Sequence, residues 1–431
     1  MKIIRNEEEL EGFLLLLKER AGGVSEEIVS AVTGIVSDVR VRGDLAVREY
    51  TGRFDGLKTE NLRIGLREIK AIARKADPEG VEVLSVAATR IRDFHLRQKE
   101  ESWSYRERGA ILGQIIRPIQ RVGIYVPGGK ASYPSTVLMN VIPAQVAGVK
   151  ELALCVPTPG GEVNPYVMAA ISLLGVREVY RVGGAQAIAA MACGTETIKK
   201  VDKIVGPGNV YVATAKRMVF GEVDIDMIAG PSEVLIIADR TAPPEFVASD
   251  LLSQAEHDEL ASSVLVTSSE RLALRVSEEV KRQIKTLGRR EIAEASLKNF
   301  GAIIVTRTLG KAVRVANLIA PEHLEIMTEK PEKLLPQIQN AGAIFLGKWT
   351  PEALGDYAAG PNHTLPTGGT ARFFSPLGVY DFVKRSSLLS FSRQSFQRLS
   401  SVVETLSDLE GLEAHGRAVK VRKGISEESN R

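Results

Sequence analysis

Two parallel α/β sheets, each wound with helices on both faces, are the fold that this 431-residue sequence predicts. Three observations predict it. From residue 122, short apolar runs recur at similar intervals, each closing in a Gly/Pro-rich turn before a small-residue or amphipathic segment. From residue 234 a second series of the same kind begins. Around them the texture differs, helical before residue 122 and irregular after 349. Strand–turn–helix units at this spacing specify parallel strands, because a parallel crossover consumes a helix's length of chain.

Residues 25–50 read as helix. Ser25 can cap it, Glu26 and Glu27 suit the positive end of the dipole, and Ile28, Val32, Ile35, Val36 and Val39 share one face. Amphipathic, Arg-rich helix continues to about residue 105, with one short strand candidate near Leu62–Ile64. Residues 1–121 are therefore expected to be a helical region that packs mainly on the second sheet. The first sheet, residues 122–233, takes VGIYV from Val122, LALCV from Leu152, VYRV from Val179 and KIV from Lys203. The second, residues 234–349, takes VLIIA (234–238), VLVT (264–267), AIIVT (302–306), LEIM (324–327) and AIFL (343–346). Helical segments 244–258, 271–286 and 310–319 separate these runs. Residues 350–380 are rich in Gly, Pro and Thr, a long loop of the kind that carries function or reaches a neighbour. Helical character returns at 394–422, so 350–431 reads as a loop arm and helical segment that ends in the polar tail GISEESNR.

Composition narrows the function. Lys+Arg 56 against Asp+Glu 53 leaves a formal charge of +3, too balanced for an electrostatic nucleic-acid binder, and Trp103 and Trp349 stand without a basic aromatic platform. Cys155 and Cys193, in unrelated contexts, make neither a disulfide framework nor a thiolate zinc module. The early apolar run Phe13–Leu17 is too short to span a bilayer, and the acidic residues 7–9 and 11 before it spoil a signal peptide. A cytoplasmic, soluble, multidomain protein without nucleic-acid or membrane partners is the expectation.

Ligands of open α/β sheets bind beyond the carboxyl ends of the strands. Three such ends in the first sheet are glycine-rich: Pro127-Gly128-Gly129, Gly183-Gly184-Ala185-Gln186 and Gly206-Pro207-Gly208-Asn209. Glycine lets backbone N–H groups approach a phosphate, yet no turn completes G-x-G-x-x-G, since Tyr211 stands where the third glycine belongs. The sheets are thus Rossmann-like and doubly wound but lack a full dinucleotide fingerprint; bland strand-to-helix turns explain any one of these segments equally well.

Histidine is scarce. His95 lies in a charged amphipathic helix as a surface or packing residue. The other four, His257, His323, His363 and His415, each have polar or acidic neighbours. Gln254 and His257 share a helix face at i, i+3; Glu322-His323 follows Pro321 and opens an apolar strand; Asp356 and His363 flank the loop GDYAAGPNHTLP; Glu410 and His415 close a helical stretch. Imidazole and carboxylate without thiolate suit Zn²⁺ or another borderline metal. Neither H-E-x-x-H nor G-x-S-x-G is present. Ala229-Gly230-Pro231-Ser232-Glu233 reads as a rigid turn presenting a hydroxyl, or as a simple capped turn.

The stretch IDMIAGPSEVLIIAD (225–239), running on to ASDLLSQAEHD (248–258), resembles the signature of the histidinol dehydrogenases. So do VGIYVPGG (122–129), VGGAQAIAA (182–190), VDKIVGPGNVYV (201–212), APEHLEI (320–326), GDYAAGPNHTLPT (355–367) and HGRAV near the C-terminus. The resemblance covers nearly the whole chain in order. It implies oxidation of L-histidinol to L-histidine through an enzyme-bound aldehyde with two NAD⁺ in succession, the last step of histidine biosynthesis. It further implies one zinc per subunit on Gln254, His257, Asp356 and His415, and an acid/base pair of Glu322 and His323. Substrate contacts fall on Ser232, Gln254, His257, His323, Asp356, Glu410 and His415, and NAD contacts on Tyr125, Gln186 and Asn209. An intertwined homodimer, its C-terminal segment reaching the partner's site, is implied as well.

Elementary chemistry agrees with these roles. Hydride loss from an alcohol needs a base for the hydroxyl proton, and an imidazole of ordinary pKa near 6.5 suits that step. Aldehyde hydration needs an activated water, for which a neighbouring carboxylate serves. Zinc would act chiefly as a template for the substrate's nitrogens. A related dehydrogenase acting on another small alcohol is the nearest rival; Glu410 and His415 favour a basic, imidazole-bearing ligand. A zinc-stabilised scaffold is the rival from another class, and it has no use for a separate Glu-His pair.

Overall fold

The computed structural model describes residues 1–128 and 133–424; Gly129 of the first glycine turn and the tail residues 425–431 lie outside the described residues. The chain divides into two units, Met1–Lys99 with Ile119–Phe382, and Glu100–Pro118 with Val383–Arg431.

The larger unit holds two six-stranded sheets. The first runs Arg63–Ile64, Glu178–Tyr180, Glu151–Cys155, Arg121–Tyr125, Lys203–Val205, Asp224–Ile225, parallel throughout except at its first pairing. The second runs Lys2–Ile4, Gly301–Val305, Ser262–Thr267, Glu233–Ala238, His323–Met327, Ala343–Leu346, all parallel. From their first long strand onward the two sheets share one order, third–second–first–fourth–fifth. Every apolar run read as a strand forms one.

Alternation along these strands feeds two cores per sheet. In the first, Val122, Ile124, Leu154 and Val205 pack against helices Pro78–Leu96, Pro134–Ala147 and Pro165–Leu173. On the opposite face, Tyr125, Ala153, Cys155 and Ile204 meet helices Glu26–Arg42, Gly184–Cys193 and Val210–Val219. In the second, Val234, Ile236 and Leu265 pack on helices Pro244–Ala255 and Glu270–Gln283, while Leu235, Ile237 and Leu324 pack on helix Leu309–Ile319 and on Phe13 and Leu17.

The N-terminal region does not pack mainly on the second sheet, as its sequence suggested. Only strand Lys2–Ile4 and helix Glu7–Gly22 join that sheet; residues 26–96 cover the first. The five apolar residues aligned on helix Glu26–Arg42 need a broad apolar partner, and the alanine-rich helix Gly184–Cys193 offers one. Helix 25–50 is also broken at Gly43, whose φ of 53° ends one helix and begins Asp44–Phe54.

One buried ion pair clamps a glycine turn of the first sheet. Lys216 Nζ meets the Asp226 carboxylate and donates to the Gly206 carbonyl at 3.0 Å, while Asp226 accepts the Gly206 N–H at 2.8 Å. Gly206 has a φ of 115°, and a Cβ there would lie 2.1 Å from the Tyr125 carbonyl, so only glycine fits. Lys216→Met strands the Asp226 charge in the interior and should lower the unfolding free energy by about 3–5 kcal/mol in chemical denaturation. A loss below about 1 kcal/mol would deny the clamp its role.

The smaller unit is an antiparallel sheet, Val383–Phe391, Ala110–Pro118, Trp103–Glu107, with helices Arg393–Leu409 and Glu413–Lys423. The C-terminal segment expected to start at 350 thus forms a separate unit only from 383, together with a hairpin from residues 103–118 that the sequence reading placed within the helical N-terminal region, with helix to about 105. Residues 350–382 stay with the larger unit.

Candidate active site

Glu233–Ala238 and His323–Met327 lie side by side with Val234 opposite His323, so Glu322 and His323 sit at the amino edge of the second sheet. That is the edge opposite to the usual one. The approach to it is tight. Ala320 adopts a φ of 53°, a conformation that side-chain-bearing residues rarely take, and a Cβ on Gly342 would come 2.5 Å from the Glu322 carbonyl.

Glu322 is buried, and its carboxylate accepts the Glu233 N–H at 2.9 Å. His323 is buried as well, with both ring nitrogens on oxygen: Nδ1 on the Glu233 carbonyl at 3.1 Å and Nε2 on Asp356 Oδ1 at 3.3 Å. Nδ1 carries the proton it donates to the carbonyl, and a second proton, when bound, sits on Nε2 facing Asp356. Burial opposes that charge, but the carboxylates of Glu352, Glu322 and Asp356 outweigh it and hold the His323 pKa well above its ordinary value. Burial likewise pushes Glu322 up to about 7 and Glu352 up to about 8, against the pull of the imidazolium. Asp356 is desolvated too, but its hydrogen bond to His323 prevails and holds its pKa low. Behind them, Glu325 accepts the Glu352 N–H at 2.7 Å, and burial raises both Glu325 and Asp250, the latter to about 6. So many carboxyl groups around one imidazole cannot all ionise together, and they titrate as a coupled set.

Gln254 lies in the last turn of helix Pro244–Ala255, wholly buried, with neither amide atom hydrogen-bonded. A buried carboxamide is rarely left so, and its oxygen suits a metal beside imidazole and carboxylate. The helix stops at Ala255 rather than 258, and His257 follows in a turn whose N–H bonds the Gln254 carbonyl at 3.2 Å. His257 lines a cavity of about 600 Å³ with Tyr133, Arg289 and Tyr357, and feels the charge of Asp356. Among the described residues, donor atoms of His323, Glu352 and Asp356 also lie within 4.8 Å of one another. With both nitrogens of His323 engaged, that group is accounted for as an imidazole hydrogen-bonded among carboxylates. Glu410 caps helix Arg393–Leu409 and His415 opens helix Glu413–Lys423; both belong to the smaller unit and are exposed.

Ser232 is half-buried next to Glu233, and its carbonyl pairs with the Ser262 N–H. His363 holds the Asp356 carbonyl through Nδ1 at 3.0 Å and contacts Thr136 through Nε2 at 3.4 Å. His95, expected at the surface or in packing, is fully buried against Gln98 and Phe94. At the carboxyl edge of the first sheet, Tyr125 is buried with its hydroxyl oxygen accepting the Gly184 N–H at 3.1 Å. Gln186 is buried with both amide atoms unpartnered, and Asn209 caps helix Val210–Val219.

Residues 18–423 match the family model of histidinol dehydrogenase. The histidinol dehydrogenase of Syntrophotalea carbinolica is 58% identical, over 92% of this chain and 93% of its own. That of Bacillus subtilis is 52% identical over 95% and 96%. The crystal structure of histidinol dehydrogenase from Elizabethkingia anophelis superposes with a TM-score of 0.93 at 39% identity, covering 98% of each chain. The chain belongs to the histidinol dehydrogenase family.

In this histidinol dehydrogenase family member, the residues gathered at the amino edge exceed those its motifs single out. Glu352, Glu325, Asp250 and the Glu233 backbone were not anticipated. Glu352 stands four residues before Asp356, one helical turn away, and that spacing was the available signal. Nothing in the local pattern announces Glu325, which looks like a polar residue interrupting a buried strand.

Proposed function

We propose that this chain oxidises L-histidinol to L-histidine by way of L-histidinal, using two NAD⁺ and one zinc ion per subunit. The observation that carries this reading is the His323–Asp356 contact at 3.3 Å, which sets the acid/base residue against an expected metal and substrate ligand 33 positions away.

With Nδ1–H held on the Glu233 carbonyl, the neutral ring of His323 takes the hydroxyl proton on Nε2 as hydride leaves the carbinol carbon, and the surrounding carboxylates make that nitrogen a stronger proton acceptor. Glu322, with a pKa near neutrality, takes the proton of the water that adds to the aldehyde, after which a second hydride leaves. Asp356 and His363 fix the geometry around them. Gln254, His257, Asp356 and His415 would hold the metal, which supplies a fixed positive charge for orienting the substrate's nitrogens. Tyr125, Gln186 and Asn209 would hold NAD⁺, the two-electron acceptor of each oxidation. Ser232 and Glu410 complete the substrate contacts. In the assay that decides it, purified protein should form two NADH per L-histidinol consumed, with L-histidine as product. One NADH per alcohol, or none, overturns the reading.

The protein works as an intertwined homodimer in which Glu410 and His415 serve the partner's site. An exposed apolar row on helix Arg393–Leu409, Leu399, Val402, Val403 and Leu406, supports a covered surface there. Each site of a two-fold dimer then takes His257 from one chain and His415 from the other. Mixing and refolding inactive His257→Ala and His415→Ala chains should restore up to about a quarter of normal activity, since one site of each mixed dimer escapes both defects. Mixed dimers without activity would place the site within one chain. Among the described residues, no helix is long and apolar enough to cross a membrane.

A further inference from the structure

Helix Glu7–Gly22 brings Arg20 to the back of the acid/base pair. Its guanidinium forms an ion pair with Glu233 in which the two side chains are 1% and 7% exposed. It also donates to the Leu260 carbonyl at 2.7 Å, just past the turn that bears His257, and lies 5.5 Å from the Phe300 ring centre. The same Glu233 carboxylate accepts the Gly368 N–H at 3.2 Å, from the loop that follows Asp356 and His363. One buried pair therefore ties together the N-terminal helix, the turn after His257, the loop after His363 and the first residue of strand Glu233–Ala238.

That residue aims the chemistry. Its N–H is the donor to the Glu322 carboxylate, and its carbonyl is the acceptor of His323 Nδ1. A buried ion pair is weak evidence for stability, since apolar residues of similar volume often serve as well. A charge pair anchored on the one residue whose N–H and C=O orient both catalytic side chains has a different use. We propose that Arg20 is a positioning residue: through Glu233 it fixes the direction of the Glu322 carboxylate and the tautomer and tilt of His323. This rests on the assignment of Glu322 and His323 as the acid/base pair. Arg20 itself touches neither substrate nor cofactor.

The test uses the full-length, metal-loaded protein with Arg20→Gln, Arg20→Lys and Glu233→Gln. In Arg20→Gln, kcat per folded chain should fall by on the order of 10², as for a catalytic group displaced by about an ångström, while KM for L-histidinol stays within about two-fold. Zinc content should be unchanged. Arg20→Lys keeps the charge but loses the planar fork, and should recover part of the lost kcat. A purely structural arginine would instead lower the unfolding temperature and leave kcat per folded chain at the normal value; that result overturns the proposal. Should Arg20→Gln fail to fold, normal kcat in both Arg20→Lys and Glu233→Gln overturns it equally, and a reduced kcat with unchanged KM in both supports it. A wild-type protein that makes no NADH from L-histidinol would instead sink the functional reading on which the proposal stands.

Discussion

His323→Asn slows both oxidations, each by on the order of 10²–10⁴, the usual worth of a general acid/base. Asparagine can still donate to the Glu233 carbonyl, so the strand pairing survives and the loss is chemical. Glu322→Gln behaves differently. The amide keeps an acceptor for the Glu233 N–H but cannot take a proton from water, so the first oxidation continues while conversion of L-histidinal drops by a similar factor. Supplying L-histidinal directly separates the two, with NADH formation as the signal. A Glu322→Gln protein that oxidises L-histidinal at the normal rate would assign water activation to another group, with Glu352 the next candidate.

Removing the Gln254 or His257 side chain should abolish activity through loss of the proposed metal. Gln254→Ala and His257→Ala should each lose bound zinc, measured by atomic absorption after gel filtration, with turnover reduced by more than about 10². The fold should survive, because helix Pro244–Ala255 has its own core of Val247, Ala248, Leu251 and Leu252. Circular dichroism then stays unchanged while metal and activity vanish together. Chelation of the wild-type protein should do the same reversibly. Full activity in zinc-free protein would dismiss the ligand set.

Physical reasons separate what was legible in the sequence from what was not. Both sheets were readable because parallel strands buried on two faces are near-continuous apolar runs, and nine such runs stand out between Val122 and Leu346. The hairpin Trp103–Glu107 with Ala110–Pro118 was not readable. Arg106, Glu107 and Arg108 interrupt it, and its stability comes from pairing with Val383–Phe391, far away in sequence. Helix ends were read in part: Ser25 caps as expected, Asn209 caps a helix without having been read as a cap, and Gly43 breaks a stretch that had read as continuous. At the site, Glu322 and His323 could be named from their motif, and both lie buried at the amino edge of the second sheet. The carboxyl groups that set their protonation could not, since Glu325, Glu352 and Asp250 meet only through strand register and helix packing. Arg20 was the least visible of all, 213 residues from its partner Glu233.

The order of synthesis gives the hairpin of the smaller unit a history of its own. Strand Ala110–Pro118 pairs on one side with a neighbour that leaves the ribosome just before it, and on the other with Val383–Phe391. At about 5–20 residues per second, the roughly 265 intervening residues occupy a ribosome for some 15–50 s. Throughout that time AILGQIIRP presents an open backbone edge, a template for any passing strand. Gly113 in its middle, and Arg117 and Pro118 at its end, make it a poor one, because glycine weakens a strand, proline offers no N–H and a charge resists stacking. A nascent chain halted before Val383 keeps this edge open for as long as it persists, and those three residues are what hold such fragments back from pairing through it.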